Sequence, residues 1–399
     1  MGTVTNDSKS TFEAQRAQPP SQSARNQSGA QRGMTTDYQP EGAQHLLASA
    51  PRLMGSSSAS PAPPRRGVTR VLVAGVRFGS ALVRRRAELG MPPALFARSL
   101  SSAVRPHFFV LPCAACLAGA AASPRMGTGS GVAVAAASVG IAWGVGQLLN
   151  DLVDLEADAV DAPQRPAVRG LLPEGPTALV ACLLGILVAV ALALIHPLGW
   201  LFALGSAVLM LVYAPAKALP LLGNLAHAAL MALLALIGAA AAAPGVPLSE
   251  VVPRAWPTIA SVGALGALYL QGNYEKDRAG DARAGYRTLA QLLGVRGSAV
   301  LRGAAGALLY WLAWRSGLVA APARWFWLLS LALLGISVAL SLAEGGRRGA
   351  LRGYRFTVYA TISALVALAL PLLGVAGAFA LFAGASLLLE LAFARSDNP

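Results

Sequence analysis

The sequence predicts an all-α fold, a polytopic transmembrane bundle of about nine helices, ten if the last apolar stretch also crosses. Three observations carry that reading. Hydrophobic residues make up 55% of the 399 and charged residues only 13%, with a mean hydropathy of +0.56; soluble domains carry about twice that charge. The apolar residues fall in successive runs of about 17–21, near the length a helix needs to cross a bilayer. The basic residues between the runs favour alternate loops, as membrane topology requires. Three cysteines are too few for a disulfide scaffold, and zinc spacings are absent.

The elements follow in order. Residues 1–66 are rich in Ser, Gln, Ala, Pro and Arg, with no long apolar run, and read as a disordered tail. No secretory signal is expected there, and its Arg content and few acids leave an organelle transit peptide open. Residues 67–100 carry Val68–Val73 and Arg84–Arg86 and read as a basic amphipathic helix on the membrane surface or as a solvated linker. The membrane domain is expected over 101–395. Its spans are placed at 107–122, 131–150, 176–195, 198–213, 223–243, 256–273, 298–317, 324–343 and 356–373, with 377–394 as a tenth span or a re-entrant end. They are rich in Ala, Leu and Gly, and small residues let helices approach closely in lipid.

The loops after the second, fourth, sixth and eighth spans share one side and carry twelve Lys and Arg. The opposite loops carry four: Arg125, Arg254, Arg315 and Arg324. The positive-inside rule puts the twelve-charge side in the cytoplasm, and the basic tail falls on that side too. A cell inner or plasma membrane is the expected location, an organelle membrane the alternative.

The acids are concentrated on that same side. Of 18 in the chain, Asp151, Asp154, Glu156, Asp158 and Asp161 fall within 11 residues. If the second helix continues past the bilayer core, Asn150, Asp154 and Asp158 stand at i, i+4, i+8, and Asp151 joins them in one polar stripe. Like charges so spaced repel unless a cation is held, and carboxylates with phosphates suit Mg²⁺. Taken alone, the cluster also fits a solvated acidic loop. After the sixth span, Asp277 and Asp281 repeat the i, i+4 spacing beside Lys276, Arg278, Arg283 and Arg287. Two facing stripes could hold two Mg²⁺ and bridge a diphosphate, with no more than two of those cations touching it. Tyr213 and Lys217 close the fourth span, separated by Pro215; Lys217 is one of only three lysines. It reads as a diphosphate ligand, or as a side chain snorkelling to the headgroups. Arg105, before Pro106, reads as a pocket wall or an interfacial anchor.

Asn150–Asp158 has the form N-D-x-x-D-x-x-x-D. Asp277–Leu289 has an Asp-x-x-Gly-Asp core followed by Gly285, Thr288 and Leu289. In this order, about 120 residues apart, the two motifs resemble those of the UbiA superfamily of intramembrane prenyltransferases. Tyr213, Lys217 and the stretch Leu219–Asn224 are similar to that family's fourth-to-fifth-span loop, and Arg105-Pro106 to its entry to the first span. The resemblance covers about residues 100–395. It implies a ring of helices around a central cavity and Mg²⁺-dependent transfer of an isoprenoid chain from a polyprenyl diphosphate to an acceptor. Carried over by position, Asn150, Asp151, Asp154 and Asp158 form the first metal-diphosphate motif, and Asp277 and Asp281 the second. Tyr213, Lys217, Arg105 and Arg165 become diphosphate or pocket residues, with Lys276 beside them. Lys217 and Tyr213 are the candidate catalytic pair. The match does not say which of these touch metal.

The acceptor is expected to be hydrophobic or aromatic: a quinone precursor, a glycerophosphate ether lipid or a tetrapyrrole. The run from Asp158 to Pro166 resembles the branches acting on such acceptors. Asp161 replaces their usual Asn, and Ala167-Val168-Arg169 replaces their Leu/Ile-Pro-Ser. A transporter would place its acids nearer the bilayer midplane. A CDP-alcohol phosphotransferase would show one continuous motif with Asp-Gly and Ala-Arg, which is absent. Cys113 and Cys116 read as packing residues, His196 as interfacial and His227 as a helix residue. Glu390 has no role in this reading. The basic charge fits membrane lipid rather than nucleic acid.

Overall fold

A computed structural model describes residues 91–124, 129–319 and 321–396. The expected tail, and residues 67–90 of the basic segment, lie outside the described residues. Every regular element among the described residues is helical. In chain order they are α1 (Pro93–Val104), α2 (Val110–Ala121), α3 (Ser130–Val153), α4 (Leu155–Asp161), α5 (Glu174–Ile195), α6 (Gly199–Ala216), α7 (Leu222–Ala241), α8 (Leu248–Lys276), α9 (Arg278–Arg283), α10 (Leu289–Arg315), α11 (Arg324–Glu344) and α12 (Gly346–Ser396). Prolines mark several starts: Pro93 opens α1, while Pro173 and Pro247 precede α5 and α8. Proline's missing N–H costs nothing where no helical partner exists.

Seven of these helices are long and apolar enough to cross a membrane, or eight when the bent pair Pro93–Phe108 and Val110–Ala121 counts as one span. The chain is an integral membrane protein. α5 illustrates the environment: Leu183, Ile186, Leu187, Val190 and Leu194 are all exposed, an apolar face suited to lipid. The nine or ten predicted spans differ from this count in three places. The stretch 256–273 lies inside α8, whose buried Tyr269 and Gln271 lower its hydropathy. The stretches 356–373 and 377–394 are two arms of α12, broken at Gly374 (φ 67°, ψ 172°), a conformation only glycine adopts cheaply. The first span, expected from 107, pairs with a leading helix that starts at Pro93, and the two are bent by 43°.

The arms of α12 run back along one another. Glu390 accepts from Arg355 at 2.8 Å and from the Tyr359 hydroxyl, which gives this acid the partners that sequence reading did not supply. In the interior, α7 packs between α2 and α8. A Cβ added at Gly119 would run into the Ala235 carbonyl, and one at Gly238 into the Cys116 carbonyl. The two backbones therefore touch, as small residues permit in lipid. Cys116 is fully buried here and the Cys113 thiol donates to the Ala136 carbonyl, so both pack as expected.

One polar knot ties four helices. Glu275 on α8 and Arg302 on α10 form a two-pronged ion pair at 3.0 and 2.9 Å, with both side chains fully buried. Arg302 also donates to Ser337 and Ser341 of α11 and to Thr357 of α12. All five of its N–H donors are thereby used.

Candidate active site

The two acidic segments share one backbone design. α3 ends at Val153, Asp154 sits at a break (φ −90°, ψ 18°), and α4 starts at Leu155. α8 ends at Lys276, Asp277 sits at a matching break (φ −91°, ψ 12°), and α9 starts at Arg278. The expected uninterrupted stripe from Asn150 to Asp158 is therefore corrected to two helices with a hinge residue between them. Backbone bonds bridge each hinge: Asp154 to Asn150 at 2.8 Å, Asp158 to Asp154 at 2.9 Å, Asp281 to Asp277 at 2.9 Å. This i to i+4 ladder preserves the spacing that the sequence implies.

Cations meet these carboxylates. Arg105 occupies the left-handed region (φ 52°, ψ 61°), a backbone cost of about 1–2 kcal/mol for a residue with a side chain. There its guanidinium reaches both Asp151 and Gln147. Arg165 pairs with Asp158, and at 3.5 Å with Asp151. Lys217, just past α6 and its Pro215, is buried and donates to Asp154 Oδ2 at 2.5 Å. Its carbonyl accepts the Arg287 N–H at 2.9 Å, tying it to the second acidic segment. The Lys217 ammonium lies over the rings of Tyr213 (5.1 Å) and Tyr286 (5.0 Å), and the Tyr286 hydroxyl donates to Asp154 Oδ1 at 2.7 Å. Lys276 pairs with its neighbour Asp277 at 2.6 Å and lies over Tyr354. Asn150 contributes its carbonyl to Asp154.

The charges respond to this setting. Burial pushes the Asp158 carboxyl up to about 6 although Arg165 opposes it. Burial and the carboxylates of Asp277, Asp154 and Asp161 push Asp281 up to about 8, against Lys217. Asp277 goes the other way: burial opposes the shift, but Lys276, Arg165 and Lys217 hold it below the ordinary range. Burial would lower Lys217, yet Asp154 and Asp281 raise it, so it stays an ammonium.

Four carboxylate oxygens are buried with no donor: Asp151 Oδ2, Asp158 Oδ2, Asp161 Oδ1 and Asp281 Oδ2. Unpartnered buried acceptors are costly, and a divalent cation is one natural partner. No group of three or more His, Cys, Asp or Glu gathers tightly enough among the described residues to hold an ion alone. Mg²⁺ is commonly held by one or two carboxylates plus water and substrate phosphate. Sequence reading missed Gln147 and Tyr286. Gln147 lies one turn before Asp151, where extending the polar stripe backwards finds it, and Tyr286 lies inside the second motif.

Residues 109–350, more than half of the chain, match the UbiA prenyltransferase family. The chain belongs to this family. It shares the all-helical architecture of solved UbiA homologues. Over 89 residues it is 42% identical to the digeranylgeranylglyceryl phosphate synthase of Pyrococcus abyssi, a match covering 22% of this chain and 32% of the relative; the chain thus spans about a third of that curated relative's length. Among solved structures, a UbiA homologue from Aeropyrum pernix K1 aligns with TM-score 0.54 and 19% identity, over 71% of this chain and 98% of that one. A UbiA homologue from Archaeoglobus fulgidus bound to GPP and Mg²⁺ aligns with TM-score 0.52 and 17% identity, over 71% of this chain and 99% of that one.

Proposed function

We propose that this UbiA-family chain uses Mg²⁺ to transfer the prenyl group of a polyprenyl diphosphate to a lipid-borne hydroxyl acceptor, at the cytoplasmic end of the bundle. The observation that carries the reading is the set of buried, donor-less oxygens of Asp151, Asp158 and Asp281, beside Arg105, Arg165 and Lys217. Such a pocket has acceptors ready for a metal and cations ready for phosphate. Asp151, Asp154 and Asp158 on one segment, with Asp277 and Asp281 on the other, would hold the metal. The Archaeoglobus relative's GPP and Mg²⁺ support the same pairing of ligands.

Mg²⁺ held by these carboxylates would supply positive charge against the diphosphate. The chain's own groups do the rest. Lys217, Arg105 and Arg165 donate to phosphate oxygens, stabilising charge on the leaving group as the bond to the prenyl C1 breaks. Asn150 and Lys276 flank them. Tyr213 holds the Lys217 ammonium against its ring face. The apolar interior takes the prenyl tail and keeps water from the electron-poor C1, where the acceptor oxygen forms the new bond and gives up its proton to the departing diphosphate.

The Pyrococcus relative's name supports a glycerophosphate lipid as acceptor. A second reading, an aromatic acceptor, is favoured by a ring cluster deeper in the bundle. His227 lies 5.6 Å from Trp143, 6.2 Å from Tyr213 and 5.8 Å from Tyr269, with Trp143 Nε1 and His227 Nε2 unpartnered. The charge asymmetry of the loops supports a cytoplasmic site. The transferase domain runs from α1 through α12.

The test uses membranes carrying the full chain, radiolabelled farnesyl and geranylgeranyl diphosphate, and glycerophosphate, aromatic and tetrapyrrole acceptors, with and without Mg²⁺. A labelled lipid that requires Mg²⁺ and disappears in Asp154→Asn and Asp281→Asn is expected. Full Mg²⁺-dependent turnover in either variant would refute the assignment of these residues.

A further inference from the structure

We propose that Asp161 is a positioning residue: its carboxylate caps α9 from another segment and so leaves the Asp277 carboxylate to Lys276 and Asn273. The inference rests on the reading of Asp277 and Asp281 as the second metal-and-diphosphate segment.

The N–H groups of a helix's first turn have no partner within the helix. An Asp at the N-cap ordinarily takes one of them with its own side chain. Asp277 is the N-cap of α9, and its side chain makes no such bond. Its two oxygens are held instead by Lys276 at 2.6 Å and by the Asn273 amide at 2.9 Å. The N–H that it would take, that of Gly280, donates to Asp161 Oδ2 at 2.6 Å, from 119 residues away in the chain. Asp161 is the last residue of α4, the segment that carries Asp158 and follows Asp154.

One bond therefore does two things. It ties the two acidic segments to each other, and it occupies the donor for which Asp277 would otherwise compete. Position 280 admits this only as glycine, because an added Cβ would run into the Ala157 carbonyl and the Asp161 carboxylate. The far end of α4 is pinned from a third element, where Arg347 of α12 donates to the Asp161 carbonyl at 2.9 Å. Remove the acceptor at 161 and the Gly280 N–H loses its partner; the N-cap carboxylate of Asp277 is then the group placed to replace it. The second segment would then give up the Lys276 and Asn273 contacts that set its Asp277 carboxylate, without any change to its own sequence.

The experiment uses the full chain with Cys113, Cys116 and Cys182 replaced by Ala and spin labels at Ala159 and Ala282, both exposed. Label-to-label distances are measured in lipid, and Mg²⁺-dependent binding of geranylgeranyl diphosphate is titrated on the same samples. Asp161→Ala is expected to broaden and lengthen the distances and to weaken apparent Mg²⁺ affinity about tenfold, the scale of a lost cap. Asp161→Asn keeps an oxygen for the Gly280 N–H and is expected to stay near the parent on both readouts. An Asp161→Asn variant that loses Mg²⁺ affinity as Asp161→Ala does would overturn the proposal, because Asp161 would then act through its charge on the metal. Unchanged distances in Asp161→Ala would overturn it equally. If Asp161→Ala does not fold, Asp161→Ser, whose shorter side chain cannot span the gap, takes its place under the same criteria. A parent chain without Mg²⁺-dependent binding would refute the site reading, while the distances would still decide whether Asp161 holds α9.

Discussion

Replacing Arg302 by Met should be among the most damaging single changes outside the acidic pocket. The side chain is fully buried and spends all five donors, two of them on Glu275 at 3.0 and 2.9 Å. Without it, the Glu275 carboxylate stays in the bundle with only the Ser298 and Ser341 hydroxyls as donors. Breaking a buried pair by removing one partner costs about 3–5 kcal/mol. For a domain of this size each kcal/mol moves the melting temperature by about 2–3 °C, so a drop of about 6–15 °C is expected. The hydroxyls that served Arg302 are not stranded: Ser337 and Thr357 both donate to the Gly353 carbonyl. Replacing the pair together, Glu275→Leu with Arg302→Met, should therefore recover most of the loss. The assay is thermal unfolding in one detergent for the parent, both single variants and the double variant. A single variant melting within about 2 °C of the parent, or a double variant no better than its worse parent, would refute the reasoning.

Three further outcomes are expected. Gly119→Val should lower the melting temperature sharply or abolish folded yield, because its Cβ meets the Ala235 backbone carbonyl and α2 and α7 must separate; Gly185→Val, where nothing lies within 4 Å, is the control on size-exclusion yield. Mg²⁺ affinity should rise with pH up to about 8 and then level off, since Asp281 is protonated below that value in the metal-free protein and a coordinating carboxyl must lose its proton. Calorimetry in two buffers of different ionisation enthalpy should accordingly show about one proton released per binding event near pH 7. Arg105→Gly relieves the left-handed strain while removing the partner of Asp151; melting should stay within about 3 °C of the parent, whereas turnover of a labelled prenyl diphosphate should fall by at least about a hundredfold.

The helical class was legible because lipid permits few alternatives: an apolar run of spanning length must satisfy its backbone internally. The two Asp segments were legible for a related reason, since charge at a span end is rare enough in this chain to stand out. What stayed hidden was polar chemistry inside the spans. Arg302 sits within the expected seventh span, and hydropathy treats it as a defect; only the partner on α8, 27 residues earlier, makes it a knot. Glu390 stayed unexplained because its partners lie on the other arm of α12, and the turn at Gly374 that joins them looks like one glycine among 42. The break at Asp154 escaped notice because the i, i+4 ladder runs through it unchanged. A hinge and a straight helix give the same sequence spacing.

The pocket's charge count links the site to its proposed substrate. Asp151, Asp154, Asp158, Asp277 and Asp281 face Arg105, Arg165, Lys217 and Lys276: five carboxyls against four cations. With Asp281 protonated near neutral pH, these nine groups balance. A diphosphate alone would bring about three negative charges into it, and the cations that could answer them are already held by carboxylates. Two divalent ions with that diphosphate instead bring a small positive excess, which an ionised Asp281 can offset. In the proposed reading, the same exchange would free Lys217 and Arg105 from Asp154 and Asp151 to turn toward phosphate. Under the proposed reading, metal dependence would follow from these ion pairs. A site whose cations stood unpaired could bind diphosphate without metal; in this one, the lysine and arginines are released only when something else takes the carboxylates.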